Sequence, residues 1–127
     1  MRGRNTLIDS SAWVESLRVD GNPGIRTIVF DLIGDGQAFL CDMVLLELWN
    51  GARGTSEHKM LRSMEDELEL VQTSEAVWQS AHELARELRR SGATVPASYV
   101  LIAACAKHYD LELVHADRHF DTLAQFL

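Results

Sequence analysis

Short apolar runs alternate with longer amphipathic stretches along the chain. Residues Asn5–Ile8 read as a buried strand ending at Asp9, and Ser10–Leu17 as a helix opened by hydroxyl residues that can cap it. Gly21-Asn22-Pro23-Gly24 is a turn signal. Beyond it Ile25, Ile28, Val29, Leu32 and Ile33 recur at helical spacing, so a second helix should end near Gly34-Asp35-Gly36. Ala38–Leu40 predicts a strand, Asp42 to about Ala52 a helix, Ser56–Glu67 another helix and Leu68–Val71 a strand. Ser74 can cap a long helix reaching Arg90, with Val77, Ala81, Leu84, Ala85 and Leu88 on one stripe and Gly92 ending it. Pro96 suits the first turn of the next helix, which runs to about Tyr109. Glu112–His115 then predicts a strand and Phe120–Phe126 a closing helix.

Alternating strands and helices of these lengths imply an α/β fold, with a central, mainly parallel sheet flanked by helices on both faces. Such sheets carry their sites at the carboxyl ends of strands. Asp9 and Asp117 both fall there. The length of 127 residues fits one domain spanning 1–127, and no repeat or low-complexity segment interrupts it.

Composition narrows the function only a little. The longest apolar run, Val100–Ala106, is far too short to span a membrane, and the basic start Met1–Asn5 leads into too few apolar residues for a signal peptide. A cytoplasmic protein is the expectation. Cys41 and Cys105 lack CxxC spacing and sit among apolar residues, which predicts buried free thiols. The net charge of −7 argues against a general nucleic-acid binder, which carries a basic footprint. It is compatible with carboxylates gathered around a divalent metal, or with a basic partner.

Three acids stand out on chemical grounds. Asp9 ends the first strand, where it can cap the next helix, hold a metal, or do both. Glu47 interrupts the apolar helix Met43–Trp49, where a carboxylate is costly unless paired, metal-bound or on a solvated face. Asp117 follows the last strand and could equally cap a helix. Metal held by such groups would activate water for phosphodiester hydrolysis.

Several weaker signals have structural readings. His115, Asp117 and His119 straddle a strand-to-helix junction, a spacing that does not converge reliably on zinc; His115 is expected to pack at the strand end. Arg89-Arg90 complements a helix C-terminus, with contact to a substrate phosphate as the alternative, and Arg118 is the basic residue most readily placed near a phosphodiester substrate. Trp13, Trp49 and Trp78 lie on apolar helical stripes and should pack in the core or a dimer contact. Glu65-Asp66-Glu67 reads as a solvated face, open to a basic partner segment, and Asp121 as a surface or capping residue. The chain has no P-loop or Gly-rich phosphate cradle, which leaves an unrelated phosphatase or nucleotide-binding reading without support.

The order of motifs resembles a family. Leu7-Ile8-Asp9-Ser10-Ser11, Glu47-Leu48-Trp49-Asn50-Gly51-Ala52, Val95-Pro96-Ala97-Ser98-Tyr99-Val100-Leu101-Ile102-Ala103-Ala104 and Val114-His115-Ala116-Asp117-Arg118-His119-Phe120 together resemble a VapC-type PIN domain across essentially the whole chain. The resemblance implies a three-layer fold and a toxin that is a Mg2+- or Mn2+-dependent endoribonuclease acting on tRNA or rRNA. It also implies a cognate VapB-type antitoxin and a homodimer. It places metal and catalytic roles on Asp9, Glu47 and Asp117, with Ser11 orienting the site. It breaks at Tyr99, which stands where the family has an acid, and His119 stands where a further acid is common. A phenol is neutral at pH 7 and bulkier than a carboxylate, so weakened metal binding and reduced cleavage are expected. Tyr99 fits a naturally degenerate toxin, a deliberate knock-out, or a change that spares an expression host. The reading favours a native acid replaced here. The alternative function is an inactive PIN-fold module that keeps antitoxin binding.

Overall fold

The computed structural model describes residues 4–127, so the basic start Met1–Asn5 falls partly outside the described residues. The elements run β1 (Thr6–Ile8), α1 (Ser10–Leu17), α2 (Pro23–Gly34), β2 (Ala38–Cys41), α3 (Asp42–Gly51) and α4 (Gly54–Glu67). Then follow β3 (Glu69–Val71), α5 (Glu75–Ser91), α6 (Ala97–His108), β4 (Glu112–Val114) and α7 (His119–Leu123), with a closing 3-10 turn at Ala124–Phe126.

All strand pairings are parallel, in the order β3-β2-β1-β4. Leu7 pairs in register with Phe39 on one side and Leu113 on the other, and Leu40 with Leu70. The chain winds outward from β1 to β2 and β3, then crosses back to place β4 on the other side of β1. Right-handed crossovers then put the helices of the two halves on opposite faces, which makes three layers. The same reversal opens a crevice beyond the carboxyl ends of β1 and β4.

The buried centre is β1, β2 and α6. Leu7, Ile8 and Leu40 are fully buried, and α6 buries every residue from Val100 to Ala106. A helix apolar on all sides is one packed on all sides, and α6 touches α3, α5, α7 and β4. Cys41 and Cys105 are buried free thiols in this core, as their surroundings predict.

Local chemistry explains where the boundaries depart from the pattern. Helix α2 begins at Pro23 rather than Ile25, because Asn22 caps it by accepting from the Ile25 N–H at 3.1 Å and Pro23 opens its first turn. The turn signal was thus a helix start. Pro96 is the residue before α6 rather than within its first turn, with extended ψ of 147°. Gly92 ends α5 as expected, in the left-handed conformation (φ 81°) that glycine adopts without strain. The stripe of α5 holds at Val77, Ala81, Leu84 and Leu88, while Ala85 is exposed. The tryptophans divide. Trp13 is buried, Trp49 is half-buried with its indole N–H donating to Glu65, and Trp78 stands 47% exposed outside the core.

Candidate active site

The crevice at the β1–β4 switch is a cleft of about 580 Å³ whose lining includes Asp9, Ser10, Ser11, Glu47, Tyr99 and Asp117. Asp9, Ser10 and Ser11 come from the β1–α1 junction, Glu47 from α3, Tyr99 from α6 and Asp117 from the loop after β4. Asp9 follows β1 and is held by its own N–H, which donates to the Val114 carbonyl on β4 at 2.9 Å. Its side chain caps α1: Oδ2 accepts from the Ser11 N–H at 2.9 Å and from the Ser11 hydroxyl. Ser11 Oγ in turn accepts from the Ala116 N–H at 2.9 Å, tying the loop after β4 to the first turn of α1. The capping reading of Asp9 is therefore correct, and it leaves Oδ1 buried without a hydrogen-bond partner.

Glu47 comes from α3. It is half-buried and lines the cleft, and Ser10 Oγ donates to its Oε1 at 3.1 Å. Burial raises its pKa; the charges of Asp9 and Asp117 push the same way, against the lowering effect of the Ser10 hydroxyl. A carboxylate pushed up by burial, with two further acids adding to it, is the kind of group found at functional sites.

Asp117 is the most heavily bonded of the three. Oδ1 accepts from the His119 N–H at 2.9 Å and meets the His119 Nδ1 at 2.7 Å; Oδ2 accepts from the Tyr99 hydroxyl at 2.7 Å. Burial would raise its pKa, but the His119 N–H, the Tyr99 phenol and the His119 ring outweigh it and hold the carboxyl below the usual range. The same contact pushes the Tyr99 phenol up to about 12, with burial and the charge of Asp117 adding to it. Tyr99 does not jut into open space. Its ring lies 4.4 Å from that of His119 and meets Phe120 edge-on at 5.2 Å.

The remaining candidates lie around this cluster. His115 packs against Phe120 at 4.9 Å, in keeping with a strand-end role, and Asp121 is exposed with its Oδ1 4.0 Å from the His115 ring. Arg118 is exposed beside Asp117, and Arg89 and Arg90 occupy the last turn of α5. The contacts of two residues named in the sequence were not anticipated from it. Ser10 was visible only as a cap, since nothing in a Ser-Ser pair says which hydroxyl turns toward an acid on another helix. His119 was read as a missing acid, and its bonds to Asp117 depend on the tight turn after β4.

The donor set suits a hard divalent cation: oxygen ligands only, one of them a buried, unpartnered carboxylate oxygen. Among the described residues no three His, Cys, Asp or Glu side chains are gathered closely enough to share an ion. Magnesium keeps several waters and takes one or two carboxylates directly, so Asp9 and Glu47, which line the same cleft, are the residues that could hold it.

Comparison with known proteins agrees with this arrangement. Residues 6–125 match the PIN domain family. The chain is 32% identical to ribonuclease VapC11 of Mycobacterium tuberculosis over 124 residues, covering 94% of this chain and 91% of that one. Its backbone superposes on a chain of the DNA-bound VapBC from Salmonella typhimurium with a TM-score of 0.78 at 18% identity, covering 94% and 92% of the two chains. VapBC-5 of M. tuberculosis, a member of the VapBC family of toxin-antitoxin systems, gives 0.67 at 23% identity, covering 93% and 89%. With its sheet order, its acids at the carboxyl ends of β1 and β4, and these relatives, the chain belongs to the PIN-domain family as a VapC-type member.

Proposed function

We propose that this chain is the toxin of a type II toxin–antitoxin pair, a cytoplasmic endoribonuclease that cleaves tRNA or rRNA and is attenuated by Tyr99. The observation that carries the reading is the convergence of Asp9, Glu47 and Asp117 on one cleft at the topological switch of the sheet. Relatives named as VapC ribonucleases support the reaction class, and VapBC complexes among the structural neighbours support a VapB-type antitoxin as partner. A homodimer and a single domain over 1–127 complete the proposal.

Asp9 and Glu47 would hold Mg2+ here, with Mn2+ as a substitute, and Asp117 would join them in a chain bearing an acid at position 99. The bound ion supplies charge that polarises a phosphoryl oxygen and lowers the pKa of bound water. The protein does the rest. Ser11 fixes Asp9 and the loop before Asp117 at once, Ser10 fixes Glu47, and Arg118 stands exposed where it can meet an RNA phosphate.

A second reading, a non-cleaving module that keeps antitoxin binding, is favoured by the Tyr99–Asp117 hydrogen bond, which occupies one of the acids. Cleavage of total tRNA with and without Mg2+, by this chain and by Tyr99→Asp, separates the two. Mg2+-dependent cleavage that rises in Tyr99→Asp is the expected result. No cleavage by either folded form favours the binding module. Equal cleavage by both would mean that position 99 is dispensable.

A further inference from the structure

We infer that Tyr99 and His119 act together as a clamp that closes Asp117 to a metal ion. The inference rests on the proposed carboxylate site and names a second residue that governs it. An ionised carboxylate offers about four lone-pair directions. In Asp117 three are taken: two on Oδ1, by the main-chain N–H and the ring Nδ1 of His119, and one on Oδ2, by the Tyr99 hydroxyl. A hard cation needs those same lone pairs. In the same cleft, Asp9 has a buried Oδ1 with no hydrogen-bond partner. The cleft thus has one acid with an unpartnered oxygen and one with a single lone-pair direction left.

The two clamping side chains brace each other. Their rings lie 4.4 Å apart at 31°, and Tyr99 rests edge-on against Phe120, which is buried. Removing the phenol alone leaves His119 on Oδ1; removing the imidazole alone leaves Tyr99 on Oδ2. Neither contact needs a charged histidine, because a neutral imidazole protonated on Nδ1 donates equally well.

The opposite role for His119 is a support that points Asp117 productively at a metal, and removal of such a partner weakens metal affinity. The clamp predicts the reverse sign. Mg2+ binding is measured calorimetrically for this chain, Tyr99→Phe, His119→Ala, the double variant Tyr99→Phe/His119→Ala, and Tyr99→Asp, with circular dichroism confirming that each is folded. Phe and Ala remove a donor without adding a ligand. His119→Ala is expected to tighten Mg2+ binding, and the double variant to tighten it by about tenfold or more, the scale on which outer contacts tune metal affinity. Weaker or unchanged binding in His119→Ala, while Tyr99→Asp binds well, overturns the clamp and leaves the carboxylate site standing. No Mg2+ binding by any form, Tyr99→Asp included, overturns both. The imidazole nitrogen resonances of His119 give a metal-free check: a proton on Nδ1 fits the clamp, and a proton on Nε2 alone overturns it.

Discussion

Ser10 Oγ donates to Oε1 of Glu47 at 3.1 Å, so the first turn of α1 holds an acid that belongs to α3. The hydroxyl opposes the burial and the neighbouring charges that raise the Glu47 pKa. Ser10→Ala should therefore raise that pKa further and cost about 1 kcal/mol, the usual net worth of one such hydrogen bond. Ser10→Thr keeps the hydroxyl and should restore both. Carboxyl titration by NMR and denaturant unfolding check the pair; an unmoved Glu47 in Ser10→Ala would show that the contact does not organise the acid.

Glu47 itself should make the fold less stable at neutral pH. Its carboxyl sits above the ordinary 4.5 in the folded chain, so between that value and the raised one the native state holds more protons than the unfolded state. Stability then falls as pH rises through that window, and the loss persists above it. Glu47→Gln removes the titration while keeping the shape. Its unfolding midpoint should exceed that of the parent at pH 7, with a smaller gap at pH 4. A gap that shrinks as pH rises would mean that Glu47 is better stabilised as an anion than its neighbours allow.

Much of this arrangement was legible in the sequence because it depends on local signals. Asp9 before Ser-Ser marks a strand end and a cap, and both follow from the residues themselves. The apolar run Val100–Ala106 announces a helix buried on all sides, and the structure buries every residue of it. The misreadings came where the same residue type serves two local structures. Asn22-Pro23 is as good a helix start as it is a turn, and only the N–H of Ile25 decides between them. Of the two places open to Trp78, its 47% exposure leaves the dimer contact rather than the core, because the width of a buried stripe is set by the packing partner. The bond of Asp117 to Tyr99 was beyond reach for a different reason. It joins the first turn of α6 to the loop after β4, and no spacing along one segment encodes a contact between two.

The Tyr99 phenol should titrate near pH 12, above its ordinary 10.0, with the Asp117 hydrogen bond as the first cause. The chain has two tyrosines, so the phenolate absorbance lost in Tyr99→Phe isolates this one. Asp117→Asn removes the acceptor's charge and should return the step toward 10.0. Between these values the native state holds the proton that the unfolded state releases, so stability falls as pH rises through that window. A Tyr99 step that stays in place in Asp117→Asn would assign the shift to burial and to the charges of Asp9 and Glu47.

Asp9 combines a structural and a chemical role in one carboxylate, and two substitutions separate them. Its Oδ2 caps α1 through the Ser11 N–H while Oδ1 has no partner. Asparagine caps a helix about as well as aspartate, so Asp9→Asn should keep most of the stability while removing the charge that a divalent cation needs. Alanine loses the cap as well, and Asp9→Ala should unfold about 0.5–2 kcal/mol more easily than Asp9→Asn. Both should lose Mg2+ binding when introduced into a Tyr99→Asp background, where the site is expected to be strongest. Denaturant unfolding and calorimetric titration of the same two proteins make the comparison. If Asp9→Asn loses as much stability as Asp9→Ala, the carboxylate's charge contributes to the fold itself. If Asp9→Asn still binds Mg2+ as tightly as its parent, Asp9 is a cap and not a ligand.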